Sequence, residues 1–254
     1  MRLFVFMLLA ALTVMVVDSQ SRDSEIDHPK EINLTLNPNW MPFNWVTNGT
    51  PEGVGILAAR AIFEPHGVNV NIVDRGTWGN AQKSVERGDD DGAIAAYNVT
   101  KRWPYSVFSN GYAKDPVVIF FPKERPFFYK DFNDLVGHTF IVLPDESYGE
   151  SVDARIRSGE IKVAIADNSS QAFQRLREDR SIDGFLHTYW GGRLEAGYQN
   201  LYGNTSEVDN PDICIQISKK SPWSTPENMS LINAWETEVR KSGDVERWLE
   251  QTVA

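Results

Sequence analysis

The chain has 254 residues, of which 41% are hydrophobic and 24% are charged, and its formal net charge is −10. These fractions match soluble globular proteins and exclude the disordered, collagen-like and multispanning membrane classes. The negative charge, with no Lys/Arg run longer than two residues, argues against nucleic acid as a partner. The length allows one large domain or two modest ones.

The N-terminus has the pattern of a secretory signal peptide. Arg2 precedes a largely apolar run, Leu3 to Val17, and a polar stretch begins at Asp18. A membrane anchor is the alternative, but the run is shorter than the roughly 20 residues that span a bilayer. We therefore predict that residues 1–19 are cleaved and that the mature protein is exported to the periplasm.

The chain alternates short apolar runs, typical of strands, with longer segments of helical periodicity. Strands are predicted at 32–36, 68–73, 93–97, 117–121, 140–143, 163–165, 184–186 and 213–219. Helices are predicted at 55–63, 77–87, 147–157, 168–178, 228–241 and 244–251. Two helix starts have a capping-box pattern, Asn168-Ser-Ser-Gln171 and Ser224-Thr-Pro-Glu227. The alternation predicts an α/β fold with mostly parallel sheets.

The sequence gives little support for dinucleotide binding, for thiol chemistry or for metal binding. Gly53-Val-Gly55 followed by Asp74 fits a dinucleotide fingerprint, but these glycines follow a turn-rich segment rather than a strand, so we expect a loop leading into a helix. The single cysteine, Cys214, lies in an apolar run, which predicts a buried structural thiol and allows no internal disulfide. The four histidines lack metal-ligand spacing, and we predict neither a metal nor another cofactor.

An ordered series of motifs occupies both halves of the chain. In the first half they are Asn37-Pro-Asn-Trp40-Met-Pro42-Phe43, Gly53-x-Gly55, Trp78 before a helix ending at Gly88, Asp91 before a strand of small residues, Asn98-Val-Thr100-Lys-Arg102 and Phe108-Ser109-x-Gly111-Tyr112. In the second half they are Leu135-x-Gly137, Phe140-Ile-Val-Leu143, Ser181-Ile-Asp183-Gly-Phe-Leu and Ile213 to Lys219. Their order resembles the polar-amino-acid-binding branch of the bacterial solute-binding proteins, family 3, over residues 31–252.

The resemblance implies a two-lobed, type II periplasmic-binding fold with the ligand in a cleft between the lobes. One lobe would comprise residues 31–113 and 214–254, and the other residues 117–210. The two hinges would lie near 114–116 and 211–213. Cleft closure on the ligand would shift an open–closed equilibrium.

In the first lobe, Arg102 matches the arginine with which the family grips a ligand carboxylate, and a guanidinium offers paired donors suited to that group. A surface ion pair is the alternative for this arginine. Trp40 and Trp78 match aromatic walls of the ligand site, although Trp78 could equally be a core residue. Asn37, Tyr97 and Asn98 match polar contacts; the segment from Asn98 to Arg102 is one residue shorter than the common pattern, which leaves open whether Tyr97 or Asn98 points inward.

In the second lobe, Ser147 is expected at a helix start, where it could bind a ligand anion, serve as an ordinary N-cap, or both. Thr188 stands where family members that bind α-amino acids have an aspartate for the ammonium group. Without that carboxylate a buried ammonium loses its ion partner, so the ligand need not be a standard α-amino acid. His187 could contact the ligand or be structural.

The resemblance implies a non-enzymatic, monomeric protein that delivers a small polar, carboxylate-bearing ligand to the membrane permease of an ABC importer. One alternative is a dehydratase-like enzyme on the same scaffold, which would need a cleft acid or base; Glu146, Glu150 and His187 are the nearby candidates. Another is a solute-sensing subunit of a membrane receptor.

Overall fold

The computed structural model describes residues 27–194 and 201–253. The predicted signal peptide, residues 1–19, lies outside these ranges. Within them, no helix combines the length and the apolar character that a membrane crossing requires.

The first sheet is built around parallel strands and completed by antiparallel ones. Its strands are β1 (Glu31–Thr35), β5 (Asn69–Val73), β6 (Gly92–Tyr97), β7 (Ser106–Phe108), β8 (Ala113–Lys114) and β14 (Asp212–Ser218). β1 pairs in parallel with β5 and with β6. β14 pairs antiparallel with β6, β7 and β8.

The second sheet repeats this arrangement. Its strands are β9 (Val117–Pro122), β10 (Thr139–Val142), β11 (Lys162–Ile165), β12 (Gly184–Thr188) and β13 (Tyr202–Asn204). β10 pairs in parallel with β11 and β12, whereas β9 pairs antiparallel with β12 and β13. Each sheet is therefore mixed: its βαβ units are parallel, and the strand that enters from the other sheet runs in the opposite direction.

A small antiparallel sheet was not predicted. It consists of β2 (Asn39–Trp40), β3 (Asn44–Thr47) and β4 (Thr50–Glu52). These strands have two to four residues, too few to show an alternating pattern. Gly53 follows them with φ 131°, and an added Cβ there would lie 2.2 Å from the Phe43 carbonyl oxygen. The glycine pair thus seats a helix against this sheet, as expected for a loop leading into a helix.

Helices cover the sheets, and all of them except the short one that directly follows β12 lie near the predicted places. They are α1 (Val54–Phe63), α2 (Trp78–Arg87), α3 (Glu150–Ser158), α4 (Ser169–Glu178), α5 (Tyr189–Leu194), α6 (Pro226–Ser242) and α7 (Asp244–Val253). Thr77 and Asn168 accept hydrogen bonds from the backbone of the first turns of α2 and α4, as N-caps do.

Two predicted helix starts are wrong. The helix expected at Ser147 begins at Glu150, because Gly149 adopts φ 89° immediately before it. The cap of α6 is Thr225 rather than Ser224. Ser224 instead ends a 3-10 turn, and its hydroxyl donates to the Ser221 carbonyl.

The hydrophobic core lies against the faces of the two sheets. Under the first sheet, Trp223 and Phe63 are fully buried, and the Trp223 indole donates a hydrogen bond to the Glu31 carbonyl. Phe120 and Phe140 belong to separate clusters of the second sheet. Cys214 is buried as expected, and burial raises the pKa of its thiol to about 12.

Two chain crossings connect the sheets and run side by side. Lys114 pairs with Asp212, and the Asp115 amide donates to the Pro211 carbonyl at 3.2 Å. The Val117 amide donates to the Asp209 carbonyl at 2.8 Å. The predicted domain limits stay a prediction. So does movement of the two units about these crossings.

The closest packing between β6 and β14 involves Gly92. A Cβ added to this glycine would lie 1.9 Å from the Gln216 carbonyl oxygen, and β14 is paired on both sides. Because neither strand can move away, we expect Gly92→Ala to lower the free energy of unfolding by about 3 kcal/mol. Urea denaturation measures this, and an unchanged midpoint would contradict the packing argument.

Candidate binding cleft

A narrow cavity of about 30 Å³ lies between the two sheets. Eight of the nine residues predicted to contact a ligand line it: Asn37, Trp40, Trp78, Tyr97, Arg102, Ser147, His187 and Thr188. Most of them follow, or end, one of the strands β1, β6, β10 and β12. The carboxyl ends of such strands meet at one edge of each sheet, which is where α/β proteins bind ligands.

Arg102 is the buried cation of this cavity. It ends the 3-10 turn Thr100–Arg102 and is 3% exposed. One guanidinium nitrogen donates to the Tyr97 carbonyl at 2.8 Å, and the buried Nε has no hydrogen-bond partner in the described part of the chain. Among the described residues, no carboxylate lies within ion-pair distance of Arg102. The surface ion pair considered as an alternative is therefore excluded, and burial lowers the pKa of this group.

Trp78 lies between the buried core and the cavity. Its ring packs with Ala81 and Val85 of its own helix, and it is 7% exposed. The Arg102 guanidinium also lies over this ring, 5.1 Å from its centroid. A cation over a tryptophan face is attracted by the ring electrons, so Trp78 helps to hold Arg102 in place.

Trp40 and Tyr97 form a second aromatic wall, anchored by a buried carboxyl group. Their rings meet edge to face with centroids 5.3 Å apart. Both donate to Oδ2 of Asp115, the Trp40 indole at 3.1 Å and the Tyr97 hydroxyl at 2.8 Å. Asp115 is fully buried in the first crossing, and its Oδ1 accepts no hydrogen bond from residues 27–194 or 201–253. The crossing and the cavity wall are thus held by one side chain.

The structure shows which of the two side chains, Tyr97 or Asn98, points into the cavity. Tyr97 lines the cavity, whereas Asn98 is exposed and accepts a hydrogen bond from the Trp103 indole at 2.7 Å. Successive residues of an extended strand end point to opposite sides, so only one of them can face inward. The Asn98 side chain is the predicted site group that the cavity does not include.

On the opposite wall, the Ser147 side chain forms its hydrogen bond within its own segment of the chain. Its hydroxyl donates to Asp153 at 2.5 Å, and the Tyr148 amide donates to the same carboxylate at 2.9 Å. Ser147 lies three residues before α3 and is therefore not its N-cap. Its preceding neighbour, Glu146, points into the cavity and accepts a hydrogen bond from Asn37 at 2.9 Å.

Thr188 and His187 end β12 and complete that wall. The Thr188 hydroxyl oxygen accepts a hydrogen bond from the Gly191 amide at 3.3 Å. The His187 ring stacks on Phe185 with centroids 4.7 Å apart. Burial lowers the pKa of His187 to about 4, so its imidazole is uncharged at neutral pH.

Hydrogen bonds bridge the two sides of the cleft. Besides the Asn37–Glu146 bond, the Thr100 amide and hydroxyl donate to Glu150 at 3.0 and 2.9 Å. Lys101 donates to the Glu146 carbonyl at 3.3 Å. The turn that carries Arg102 therefore also contacts the opposite wall. A wider cleft of about 870 Å³ adjoins the cavity and shares Trp40, Trp78 and Glu146 with it.

Several lining residues were missed as site residues: Asn39, Ala96, Leu143 and Tyr148. Glu146 had been considered only as a catalytic group, and Asp115 only as part of a crossing. The signal available for Asp115 was an acidic residue between two apolar strands. Nothing in the sequence indicated that it would lie beneath Trp40 and Tyr97.

The family model described as bacterial extracellular solute-binding proteins, family 3, matches residues 32–251. This chain belongs to that family. Comparison with curated protein sequences gives no match.

Solved structures similar to this family 3 protein support the same fold. A mutant of ArgBP from T. maritima is 25% identical, with a TM-score of 0.67 over 88% of this chain and 95% of that chain. The ancestral amino acid-binding protein AncCDT-1, a precursor of cyclohexadienyl dehydratase, is 19% identical, with a TM-score of 0.67 and coverages of 89% and 96%. The GluR0 ligand-binding core in complex with L-glutamate is 15% identical, with a TM-score of 0.71 and coverages of 90% and 100%. The predicted two-lobed, type II fold is confirmed.

The Asp115 carboxyl makes the stability of this solute-binding protein depend on pH. Burial raises its pKa from 3.8 to about 7. Below pH about 4 the Asp115 carboxyl is protonated in both the folded and the unfolded protein. Between pH about 4 and 7 it is ionised in the unfolded chain but still protonated in the folded protein, which favours unfolding. We therefore expect the wild type to lose up to about 4 kcal/mol of stability, relative to Asp115→Asn, as pH rises through this window.

Denaturant unfolding of both proteins at several pH values measures this difference. Asparagine keeps an oxygen that can accept from Trp40 and Tyr97 but does not ionise. A stability difference that stays constant from pH 4 to 8 would show that Asp115 is ionised in the folded protein.

Proposed function

We propose that this protein captures a small solute bearing a carboxylate group in the cavity between its two sheets. The observation that carries the proposal is the Arg102 guanidinium, which is buried and has no acidic partner among the described residues. An unpaired buried charge is costly. A ligand carboxylate would reduce that cost by accepting two parallel hydrogen bonds from the guanidinium.

The other lining residues fit a ligand of small size and mixed polarity. Trp40 and Trp78 offer apolar ring surfaces, and Asn37, Tyr97 and Thr188 offer polar groups near them. Ser147 and His187 line the same cavity, with Ser147 already bonded to Asp153. In this proposal these side chains surround the ligand, and the exposed Asn98 side chain does not.

Binding would close the two lobes about the crossings near 114–116 and 211–213. The bonds from Thr100 to Glu150 and from Asn37 to Glu146 join the two sides of the cleft. In this proposal they would break when the cleft opens. A ligand that contacts both walls would favour this state, because it gains contacts there that an open cleft does not offer.

The family and the predicted signal peptide at residues 1–19 support export to the periplasm and delivery to the permease of an ABC importer. We propose that the protein acts there as a monomer and without a cofactor. A sensing role would use the same closed cleft, with a receptor in place of the permease. Cross-linking in native membranes, followed by identification of the partner, separates these two roles.

Catalysis is the second candidate because Glu146 is an acid in the cleft whose pKa is raised by burial. A buried carboxyl with a raised pKa can donate a proton to a substrate. We rank catalysis below binding, because the acid's side chain is already bonded to Asn37 and the lining histidine, His187, is uncharged. Turnover of a prephenate-like acid, lost in Glu146→Gln, would reverse this ranking.

The binding proposal predicts the effect of Arg102→Lys. Lysine keeps the charge but loses the planar pair of donors. In calorimetric titrations against organic acids, amino acids and amines, we expect at least one carboxylate to bind the wild type. The variant should bind it about 10- to 100-fold more weakly.

Arg60→Lys provides the matched control, because Arg60 is exposed on α1 and pairs with Glu64 outside the cavity. It should bind the same carboxylate as the wild type does. Equal affinity of the Arg102→Lys protein and the wild type would refute the proposed role of the guanidinium.

A further inference from the structure

The short helix α5 touches both units of the molecule, the first unit being built on the first sheet and the second unit on the second sheet. It follows β12 directly and packs against β9 and β12 of the second sheet. It also packs against α7, which lies on α1 and α6 in the first unit. The two units therefore meet at α5, in addition to the crossings and to the hydrogen bonds across the narrow cavity.

The first two residues of α5 pack into different cores. Tyr189 packs against the cluster of the second sheet that contains Phe120. Trp190 packs against the cluster of the first sheet, to which α7 contributes Val245 and Leu249. The two rings meet edge to face, with centroids 5.3 Å apart. Trp190 is thus a side chain of the second unit that packs against the core of the first.

The backbone of α5 is held by the second unit. A Cβ added to Gly192 would lie 2.2 Å from the Phe120 ring, so the helix rests directly on that ring. The Tyr189 amide donates to the Pro116 carbonyl of the first crossing at 2.7 Å, which fixes the start of the helix. Trp190 therefore moves with the second unit, and separation of the units would withdraw its ring from the core of the first.

α5 lies on the side of the crossings that faces the wider cleft. Gly191 and Leu194 line this cleft of about 870 Å³, as does Met41 of the first unit. A Cβ added to Gly191 would lie 3.2 Å from the Met41 carbonyl oxygen, so the two walls approach closely at this point. A rotation about the crossings that widens the cleft would draw α5 away from the first unit and expose the Trp190 ring to water.

We propose that Trp190 is an apolar latch, which stabilises the closed arrangement of the two units before any ligand is bound. Opening must expose part of an aromatic ring, and the exposure of apolar surface to water is unfavourable. In the described part of the chain, Trp190 lines neither the narrow cavity nor the wider cleft. The inference concerns the regulation of the proposed binding site and rests on that function for its effect on affinity.

The latch changes the strength of binding and leaves the selectivity to the residues that line the cavity. The apparent affinity of a ligand is proportional to the fraction of the protein that is already in the binding-competent form. A contact that raises the closed fraction therefore tightens the binding of every ligand of the cleft by the same factor. Trp190 is in this sense a positioning residue, because it acts by bringing the two walls together.

Distances between two spin labels, measured by pulsed electron paramagnetic resonance, test the latch without a ligand. Labels on Thr47→Cys and Ser170→Cys would report the width of the cleft, because these exposed residues line it from different units. Cys214 is buried and should stay unlabelled. The labelled protein would be refolded from denaturant to remove bound solutes.

We expect the empty protein with Trp190 to show both a short and a long separation of the labels. Trp190→Ala should lower the ratio of short to long about 10-fold, because the open form no longer exposes the ring. Trp190→Phe keeps a smaller ring and should lower the ratio about 3-fold, which provides a second variant if the alanine protein does not fold. Near-ultraviolet circular dichroism checks the folding of both.

Met229→Ala is the matched control. Met229 is a partly buried side chain that packs against the same core cluster, but it belongs to α6 within the first unit. Its removal should lower the urea midpoint, as the removal of Trp190 does, and should leave the label distances unchanged. A shift of the distances in this variant as large as that in Trp190→Ala would show that general loss of packing opens the cleft, and would refute the latch.

The outcomes separate the latch from the proposed function. Unchanged or shorter distances in both Trp190 variants, or only the long separation in the empty protein with Trp190, refute the latch. If Arg102→Lys then still weakens the binding of a carboxylate, the binding function is retained. If the Trp190 variants open the empty protein as expected but no carboxylate binds the folded wild type, the binding function is wrong and the latch is retained. Any carboxylate that binds should bind Trp190→Ala more weakly by the factor by which the closed fraction falls, and an unchanged affinity would contradict the regulation proposed for the site.

Discussion

The cleft depends on a buried guanidinium that forms no ion pair with any residue the structure describes. Arg102 is held by the Tyr97 carbonyl and the Trp78 ring, both of which leave its charge unbalanced. Such a group is costly unless an anion reaches it. The turn that places it also carries Thr100, which bonds to Glu150 on the opposite wall. The turn that would hold the anionic end of the proposed ligand therefore also joins the two sides of the cleft.

Two carboxyl groups connect the cleft to other parts of the fold through hydrogen bonds. Asp115 connects the aromatic wall to the first crossing, because it accepts hydrogen bonds from both Trp40 and Tyr97. Glu146 connects the second sheet to Asn37 of the first. The acidic side chain that lines the narrow cavity thus lies beside Ser147, and not at the position of Thr188.

Most of the fold could be predicted from the sequence, because most strands and helices here show a local pattern of apolar, turn and capping residues. The runs at 93–97 and 117–121 are apolar and bounded by turns, and Thr77 and Asn168 cap the helices predicted after them. The failures are also local. β2 to β4 are too short for a pattern, and the start of α3 was misplaced because Ser147 looks like a cap but bonds to Asp153.

The sequence by itself determined the α/β architecture and the order of the motifs, since both are set by neighbours within a few residues. The resemblance that those motifs carry pointed to Arg102, Trp40 and Trp78. Only the tertiary structure decided that Tyr97 rather than Asn98 faces the cavity. It alone also revealed that Glu146 meets Asn37, 109 positions away along the chain. The physical reason is that charge balance in a buried site depends on which distant side chains share the space, and chain folding, not local pattern, brings them together.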